Sequence, residues 1–508
     1  METNNKTIAK NTLFLYFRMM FTMVVGLFTS RVILQKLGVD DYGIYQAVGG
    51  IVGFLSFING ALSTGSSRFL TYALGEGNAD KLKRTFSTTL IIHILLALFI
   101  ALLSETFGLW FLNNKLIIAS ERMDAAIYTF HLSIVATVLS ITQVPYNASL
   151  ISHERMSIYA YMSIYDVSAK LLVCYLLSIG NIDRLILYSS LILAVQVSSL
   201  VFYRLYCIRH FEETLFAFSF DKNLFKDIAK FSGWSLFANS AIALNSQGIL
   251  VLLNMFFSPS IVAARAISLQ VNMAANQFVN NFRQAVNPQI VKKYAAGEFY
   301  ASKQLLLEST KYSYYMMFLL SLPICVLAQP LLKLWLGVVP EYTVPFLQIV
   351  ILQNLFQVFD TSFYMALYAK GQLKQNALLS PTMLFLSFIS SYCFFKLGFS
   401  PLSLSWATFV AYAVLGLIIK PILITHIVDY TWKDIWSVFR PCLLVTSVSI
   451  PIPLLTANYI GEINFISFIT IVIVCIVSIV VTTYFLGIDR ETRNRLMAII
   501  RSRVQNKG

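Results

Sequence analysis

The chain has 508 residues, of which 57% are hydrophobic and 12% are charged, and its mean hydropathy is +0.70. A soluble chain carries about a quarter charged residues, so this composition excludes a soluble enzyme and predicts a chain that folds in lipid. The net charge of +14 does not indicate nucleic acid as a partner, because the basic residues are spread over short loops and the tail. We therefore expect an all-α membrane protein.

Apolar stretches long enough to cross about 30 Å of hydrocarbon recur along the whole chain. They predict about 14 transmembrane helices, at residues 11–37, 43–73, 85–112, 124–151, 157–179, 185–208, 231–257, 260–290, 304–336, 342–369, 376–397, 402–419, 435–458 and 463–486. The first stretch has no small-residue cleavage site after it, so we expect a helix there and not a signal peptide.

The distribution of basic residues predicts the orientation of these helices. Lys and Arg number about 24 in the loops on the side that holds both termini and about 5 in the loops on the other side, which is the positive-inside pattern. We therefore expect a multi-pass protein of the cell (inner) membrane with both termini in the cytoplasm.

Arginines in the first two predicted helices are candidates for binding an anionic substrate. A charge at a helix centre costs about 2.5 to 3.5 kcal/mol on insertion scales, so it normally faces a cavity or a partner. Arg18 shares a helix face with Thr22 and Thr29, which favours a cavity-lining position. Arg31 and Arg68 lie closer to helix ends, where the alternative is a side chain that extends to the membrane surface.

The fifth predicted helix contains Asp166 and Lys170, four residues apart, at a spacing that predicts an ion pair on one helix face. A structural salt bridge is the interpretation that we favour. The alternative is a site that couples transport to a proton or sodium gradient, and Asp360 in the tenth helix is a second candidate for that role.

The eighth predicted helix carries a polar stripe. Its members follow one another at steps of 7, 4, 4, 3 and 4 residues, which places them on one helix face: Arg265, Asn272, Asn276, Asn280, Arg283 and Asn287. Such a stripe either lines a cavity or joins helices through amide hydrogen bonds, and we favour the cavity. Asn239 in the seventh helix is a further cavity candidate.

A ten-residue pattern recurs in the two halves of the chain, as YALGEGNADK from Tyr72 and YAAGEFYASK from Tyr294. Six of ten positions match, and each copy spans six helices, so both halves insert in the same orientation. The repeat aligns Gly75 with Gly297. It predicts two six-helix lobes (1–210 and 231–428), a cytoplasmic loop between them (211–230), a V-shaped central cavity, and two further helices with a basic tail (429–508).

Several motifs of enzymes are missing from the sequence. The chain has no GxxxxGK[ST] phosphate loop, no HExxH motif and no Cys or His spacing typical of a metal site. We expect no catalytic residue, no metal and no cofactor. An ion gradient such as Na⁺ or H⁺, the membrane potential or removal of the substrate would then drive transport.

Four segments carry a resemblance to a known family: SRVILQKLGVDDYGIYQAVGGIVGFLSFINGAL, ETFGLWFLNNKLIIASERMDAA, VPYNASLISHERM and LLKLWLGVVPEY. They resemble the polysaccharide-transporter branch of the multidrug/oligosaccharidyl-lipid/polysaccharide flippase superfamily, and more narrowly the O-antigen flippases of lipopolysaccharide biosynthesis. The resemblance implies a flippase that moves an undecaprenyl-pyrophosphate-linked oligosaccharide from the cytoplasmic to the periplasmic leaflet by alternating access. It also implies contact with membrane lipids and transient contact with other polysaccharide-assembly membrane proteins.

The resemblance extends to individual residues. Arg265 resembles the eighth-helix arginine that the lipid II flippases use in their central cavity, and the two last helices resemble those of the same flippases. With Arg265, the candidates for binding the pyrophosphate are Arg18, Arg31, Arg68 and Arg283, because a planar guanidinium forms bidentate hydrogen bonds to phosphate.

Three alternatives remain at this point. A lipid II flippase is one. A cation-coupled multidrug exporter of the same superfamily would favour acidic and aromatic cavity residues. A membrane enzyme, such as a polymerase or ligase, would need a large outer loop, whereas all predicted outer loops are short.

Overall fold

The structure is a computed structural model that describes residues 2–55, 57–153, 155–177, 182–215, 219–461, 464–489 and 493–494. Within these ranges it describes all side chains except those of residues 2–19, 57, 61, 64, 156, 157, 159, 160, 229–235, 238 and 285. The regular structure in the described ranges is helical throughout, with no β-strand. The protein is an all-α membrane protein.

The first half of the chain forms ten α-helices: α1 (Glu2–Leu37), α2 (Val39–Leu55), α3 (Phe57–Gly75), α4 (Ala79–Leu103), α5 (Leu109–Lys115), α6 (Met123–Ser152), α7 (Met156–Leu176), α8 (Arg184–His210), α9 (Lys222–Ala243) and α10 (Ile249–Phe256). π-Helical turns join two pairs of these helices, at Ser104–Gly108 and Leu244–Gly248. Short 3₁₀ turns lie at Ser120–Arg122 and Glu212–Thr214.

The second half forms ten more: α11 (Pro259–Ala295), α12 (Phe299–Val326), α13 (Ala328–Leu336), α14 (Thr343–Lys370), α15 (Lys374–Lys396), α16 (Ser403–Val414), α17 (Lys420–Ile427), α18 (Trp432–Ser449), α19 (Pro451–Ile460) and α20 (Phe465–Thr482). A π-helical turn joins α16 to α17 at Leu415–Ile419, and another follows α20 at Thr483–Gly487.

The number of membrane spans agrees with the sequence. Nine helical stretches of the described residues are long and apolar enough to cross a bilayer, or eleven if each of two bent helix pairs is one span. Three further segments, α7, α9 with α10, and α11, coincide with the predicted fifth, seventh and eighth spans. These three carry the polar residues singled out above, which lower their hydropathy. The protein is therefore a multi-pass membrane protein, and about 14 spans account for its helices.

The predicted ninth span, 304–336, is wrong as a single straight helix. The structure has two helices there, α12 and α13, which meet at an angle of 82°. Pro323 has no backbone N–H to continue the hydrogen-bond ladder, and Leu327 leaves the helical conformation with φ −108° and ψ 22°. Hydropathy does not reveal this bend, because both helices are apolar.

The turns of the internal repeat correct its alignment. Both α3 and α11 are followed by a two-residue turn and then by a new helix. The glycine with a left-handed backbone in this turn is Gly77 (φ 70°) in the first copy and Gly297 (φ 81°) in the second. A left-handed residue after a helix favours glycine because it has no Cβ. Gly77, and not the predicted Gly75, is therefore the structural equivalent of Gly297.

Contacts between residues group the chain into two compact units. The first unit comprises Met1–Ile267, Trp335–Tyr342 and Phe395–Pro401. The second comprises Ser268–Leu334, Thr343–Phe394 and Leu402–Gly508. The boundary between these units falls inside α11, and the predicted six-helix lobes stay a prediction.

Helices α9 and α10 belong to the first unit because they pack against other helices of that unit. α9 packs along α3, and α10 packs along α2. The connection before α9 is also fixed to that unit, since the Thr88 hydroxyl accepts a hydrogen bond of 3.0 Å from the backbone N–H of Asp221. His153 Nε2 lies 2.7 Å from Glu213 Oε1 in the same region.

The last helices of the chain pack within the second unit. The Tyr315 hydroxyl donates a hydrogen bond of 2.9 Å to the carbonyl of Gly487, and the hydroxyls of Tyr314 and Thr446 lie 2.8 Å apart. A Cβ added at Gly487 would lie 2.9 Å from the Tyr315 ring, so this close approach requires glycine. Helices α18 and α20 of the predicted segment 429–508 therefore pack against α12, and the tail from residue 495 lies outside the described residues.

Gly416 allows α14 to approach the π-helical turn between α16 and α17. A Cβ at this position would overlap the backbone carbonyl oxygen of Phe356 and lie 3.3 Å from the Cβ of Phe359. Because the obstacle is backbone, it cannot move aside as a flexible side chain does. This close packing brings the beginning of α17 next to α14.

Arg122 joins three parts of the first unit through two carboxylates. Its Nε and Nη2 donate to Asp41 at 2.9 and 2.7 Å, and its Nη1 and Nη2 donate to Asp183 at 2.5 and 3.2 Å. Asp183 also caps α8 by accepting from the backbone N–H groups of Leu185 and Ile186. The hydrogen bond from Arg122 lowers the pKa of Asp183 below its ordinary value of 3.8.

Replacing Arg122 by glutamine removes both bidentate interactions, so we expect Arg122→Gln to lower the midpoint of thermal unfolding by a few degrees. The bond to Arg122 lowers the pKa of Asp183 below the unfolded value of 3.8, so it stabilises the fold at pH values above 3.8. The difference in unfolding midpoint between the unmodified protein and Arg122→Gln should therefore be full at neutral pH. It should disappear as the pH falls through the folded pKa of Asp183. The matched control is Arg184→Gln, which loses one bond to the carbonyl of Lys36. Equal effects of the two variants at neutral pH would contradict the prediction.

Replacing Gly416 by alanine should separate α14 from α17 and destabilise the second unit, because the new methyl group overlaps the Phe356 carbonyl. We expect a loss of about 1 to 3 kcal/mol, measured by thermal unfolding of the purified protein in detergent. Gly49→Ala is the control, since a Cβ there meets no atom within 4 Å. Unfolding midpoints that agree between the two variants would show that the close approach is not essential.

Candidate substrate cavity

A cavity of about 470 Å³ lies within the second unit, between side chains of α11, α14, α15 and α17. Most of its lining residues have polar side chains, although the helices are membrane-spanning. The lining residues are Gln277, Asn280, Arg283, Gln284, Asn287, Asp360, Thr361, Tyr364, Met365, Asn376, Ser380 and Lys420. A polar cavity at this place can accept a hydrophilic group that lipid would exclude.

Arg283 supplies a permanent positive charge to the cavity. Its Nη2 donates a hydrogen bond to the backbone carbonyl of Thr361 on α14. The side chain is half-buried. A guanidinium has five N–H donors, and this bond uses one of them. This bond fixes one side of the guanidinium, and the remaining N–H donors suit an anionic or hydroxylated group in the cavity.

Lys420 and Asp360 form an ion pair at the cavity wall. Lys420 Nζ lies 3.1 Å from Asp360 Oδ1, and the two side chains are 3% and 13% exposed. The same ammonium donates to the amide oxygen of Asn376 and lies 5.4 Å from the ring centroid of Tyr364. Lys420 is therefore surrounded by a carboxylate, an amide oxygen and an aromatic face, three groups that stabilise a buried ammonium.

Lys420 is not among the site residues predicted from the sequence. The predicted twelfth span ends at Ile419, which places the lysine at the edge of the membrane. The structure continues the helical path through the π-helical turn into α17, in the segment LGLIIKPILITHI. A lone lysine between two apolar runs was the signal that could have identified it.

The polar stripe of α11 divides into parts with different surroundings. Asn280, Arg283 and Asn287 line the cavity of the second unit. Asn276 instead donates to the amide oxygen of Asn354 on α14 at 3.1 Å, and to Asn272 Oδ1 at 3.0 Å, so it joins two helices. The stripe therefore has both kinds of surroundings, and the substrate role of its members in a central cavity stays a prediction.

Arg265 lies outside this cavity. It belongs to the first unit, and its side chain is 2% exposed. Its neighbours along α11 are small or apolar and equally buried, from Val262 to Ile267. Arg265 and Arg283 belong to different units of residue contacts, and a shared role of the two arginines in one cavity stays a prediction.

The other arginine candidates lie on the first helices. Arg31 is half-buried on α1. Arg68 is exposed on α3 and lines a concave surface of about 730 Å³ together with Tyr72 and Glu76. The side chain of Arg18 lies outside the described residues. Asn239 of α9 approaches α3, since a Cβ added at Gly60 would lie 3.2 Å from its Oδ1.

Asp166 and Lys170 are paired on α7. Lys170 Nζ lies 2.7 Å from Asp166 Oδ2, and the side chains of the lysine and the aspartate are 42% and 35% exposed. The spacing of four residues thus produces the expected ion pair. The choice between a structural and a coupling role stays a prediction.

Part of the chain matches a known sequence family. Residues 16–176 match the MatE family. No curated protein matches the sequence. The family match covers α2 to α7 and most of α1, a region that contains Arg18, Arg31 and Arg68.

Solved structures of transporters share the fold. The lipid II flippase MurJ in an inward closed conformation superposes with a TM-score of 0.73 at 13% identity, covering 93% of this chain and 98% of that one. A multidrug resistance MATE family transporter of the MOP superfamily, in an inward-facing conformation, has a TM-score of 0.69 at 11% identity and covers 81% and 96%. The MATE multidrug transporter DinF-BH has a TM-score of 0.60 at 14% identity and covers 83% and 95%. The fold of this chain is therefore the fold shared by these flippases and exporters.

Proposed function

We propose that this protein is a flippase of the multidrug/oligosaccharidyl-lipid/polysaccharide superfamily. Its substrate is an undecaprenyl-pyrophosphate-linked oligosaccharide, an O-antigen or other surface-polysaccharide unit, which it moves from the cytoplasmic to the periplasmic leaflet by alternating access. It resides in the inner membrane with both termini in the cytoplasm. The observation that carries the proposal is α11, a membrane helix with two arginines and a row of asparagines.

Arginine in the membrane interior is costly and stays charged, so an anionic ligand is the natural reason to retain it. A central charge costs about 2.5 to 3.5 kcal/mol on insertion scales. A lipid pyrophosphate carries about two negative charges, and its entry into a low-dielectric site requires fixed cations that replace its counterions. Arg265 is only 2% exposed in an apolar stretch of helix, and we assign it with Arg18 to the pyrophosphate.

The cavity of the second unit suits the sugar part of this substrate. Amide side chains both donate and accept hydrogen bonds, as sugar hydroxyls do. Asn280, Gln284, Asn287 and Asn376 supply such groups on two helices.

The extent of the structural matches also supports a lipid-linked substrate. The MurJ structure covers 93% of this chain, whereas the two MATE structures compared above cover 81% and 83%. Helices α18 to α20, at the end of the chain, are what a flippase of the MurJ type would share with it. The MatE match at residues 16–176 is the observation that favours a multidrug exporter as the second candidate.

Energy coupling belongs to this proposal as well. Asp166 on α7 and Asp360 on α14 are the two candidates for coupling with Na⁺ or H⁺, and each is paired with a lysine. For Asp166 a structural salt bridge is the interpretation that we favour. For either carboxylate to bind an ion, its ammonium partner, Lys170 or Lys420, would have to move away. Contact with other polysaccharide-assembly membrane proteins is part of the same proposal.

Arg265→Ala and Arg18→Ala should abolish surface-polysaccharide assembly, because each removes a cation that replaces counterions of the pyrophosphate. Arg265→Lys keeps the charge but loses the bidentate geometry and should be partly active. The measurement is complementation of a strain that lacks its O-antigen flippase, with the protein level determined in isolated membranes.

Lys333→Ala is the control, since Lys333 is an exposed cation of α13 that does not line the cavity. Full activity of both arginine-to-alanine variants would remove the case for pyrophosphate recognition. Parallel complementation of a strain depleted of its lipid II flippase and of a drug-sensitive strain separates the alternatives. Rescue of drug resistance alone would overturn the proposal.

A further inference from the structure

The cavity of the second unit has an excess of one positive charge. Three of its described lining side chains are charged: Arg283, Asp360 and Lys420. Asp360 and Lys420 neutralise each other at 3.1 Å. The remaining charge is that of Arg283, which is bound to a neutral backbone carbonyl.

This excess determines which ligand charge the cavity accepts. A charge in a low-dielectric site is stable when a counter-charge balances it. A group with one negative charge balances Arg283 and leaves the cavity neutral. A pyrophosphate with about two negative charges would leave an uncompensated charge, and a metal cation would increase the positive excess.

The charge balance favours a carboxylate over a pyrophosphate. The guanidinium fork matches the two oxygens of a carboxylate in a bidentate pair. Lys420 lines the cavity from α17, and its contacts with Asp360 and Asn376 hold it in place. The ligand's carboxylate therefore meets Arg283, while the Asp360–Lys420 pair remains closed.

The neutral lining indicates what the carboxylate is attached to. Amides of Asn280, Gln284, Asn287 and Asn376 surround the cavity, and Tyr364 adds an aromatic surface. This combination of amide groups and a ring suits a hydroxylated sugar ring. The volume of about 470 Å³ lies within the range of small-molecule sites.

We propose that this cavity binds an acidic sugar, of the uronic acid class, through a bidentate contact between the sugar carboxylate and Arg283. The inference rests on the proposed function, because it names the sugar class that the flippase carries. It assigns the oligosaccharide and the pyrophosphate to different arginines of α11, Arg283 and Arg265.

Binding is measured on the purified full-length protein in detergent, by thermal unfolding during titration with potassium D-glucuronate, D-glucose or potassium phosphate. We expect D-glucuronate to raise the unfolding midpoint saturably and D-glucose to have at least tenfold weaker effect. Arg283→Gln, which retains a donor for the Thr361 carbonyl, should weaken D-glucuronate at least tenfold. Lys333→Gln should bind as the unmodified protein does.

Asn287→Leu provides a second variant if Arg283→Gln unfolds, since it removes an amide from the lining and leaves the charge in place. It should weaken D-glucuronate severalfold.

Several results would overturn the inference: equal stabilisation by D-glucose and D-glucuronate, D-glucuronate binding that survives Arg283→Gln, or phosphate binding tighter than D-glucuronate. A saturable Na⁺-specific stabilisation that Asp360→Asn abolishes would identify a cation site instead. Because these titrations do not involve transport, complementation by the unmodified protein together with a failed titration would reject the acidic sugar and leave the flippase proposal intact.

Discussion

A charged or amide side chain in hydrocarbon has no water to solvate it, so it must find its partners within the protein or in a cavity. This constraint explains the arrangement of the polar residues in the spans described here. Lys420 is paired with Asp360, and Lys170 with Asp166. Where a partner is a helix backbone, as for Arg283 and the Thr361 carbonyl, the side chain lies at the edge of a polar cavity.

Close helix packing brings these partners together. In lipid the hydrophobic effect does not press helices against each other, so small residues and short contacts maintain their association. Gly416 lets the π-helical turn before α17 approach α14, and Lys420 follows four residues later. In the first unit, Gly43 brings α2 against the start of α11, since a Cβ there would overlap the carbonyl of Pro259. A glycine one helical turn before Lys420 thus influences where this charged side chain lies.

The polar residues of helix α11 have different surroundings, which their spacing along the helix does not distinguish. Its amide at Asn276 joins α14, whereas Asn280, Arg283 and Asn287 face a cavity in the turns that follow. Its arginine at Arg265 is packed in the first unit among small residues. One helix therefore carries the candidate for the pyrophosphate and the candidate for the sugar, each in a different packing environment.

Composition and periodicity by themselves determined the class of the protein, the number of spans, the Asp166–Lys170 pair and the face of α11 that contains Asn280, Arg283 and Asn287. These features are local, because hydropathy over about 20 residues and a spacing of four residues depend on neighbouring positions. The tertiary structure decided what depends on distant residues: the 82° bend between α12 and α13, the equivalence of Gly77 with Gly297, and the association of α9 with α3. It also decided that Lys420 is the partner of Asp360, 60 positions away, because helices α14 and α17 meet through packing that no periodic pattern encodes.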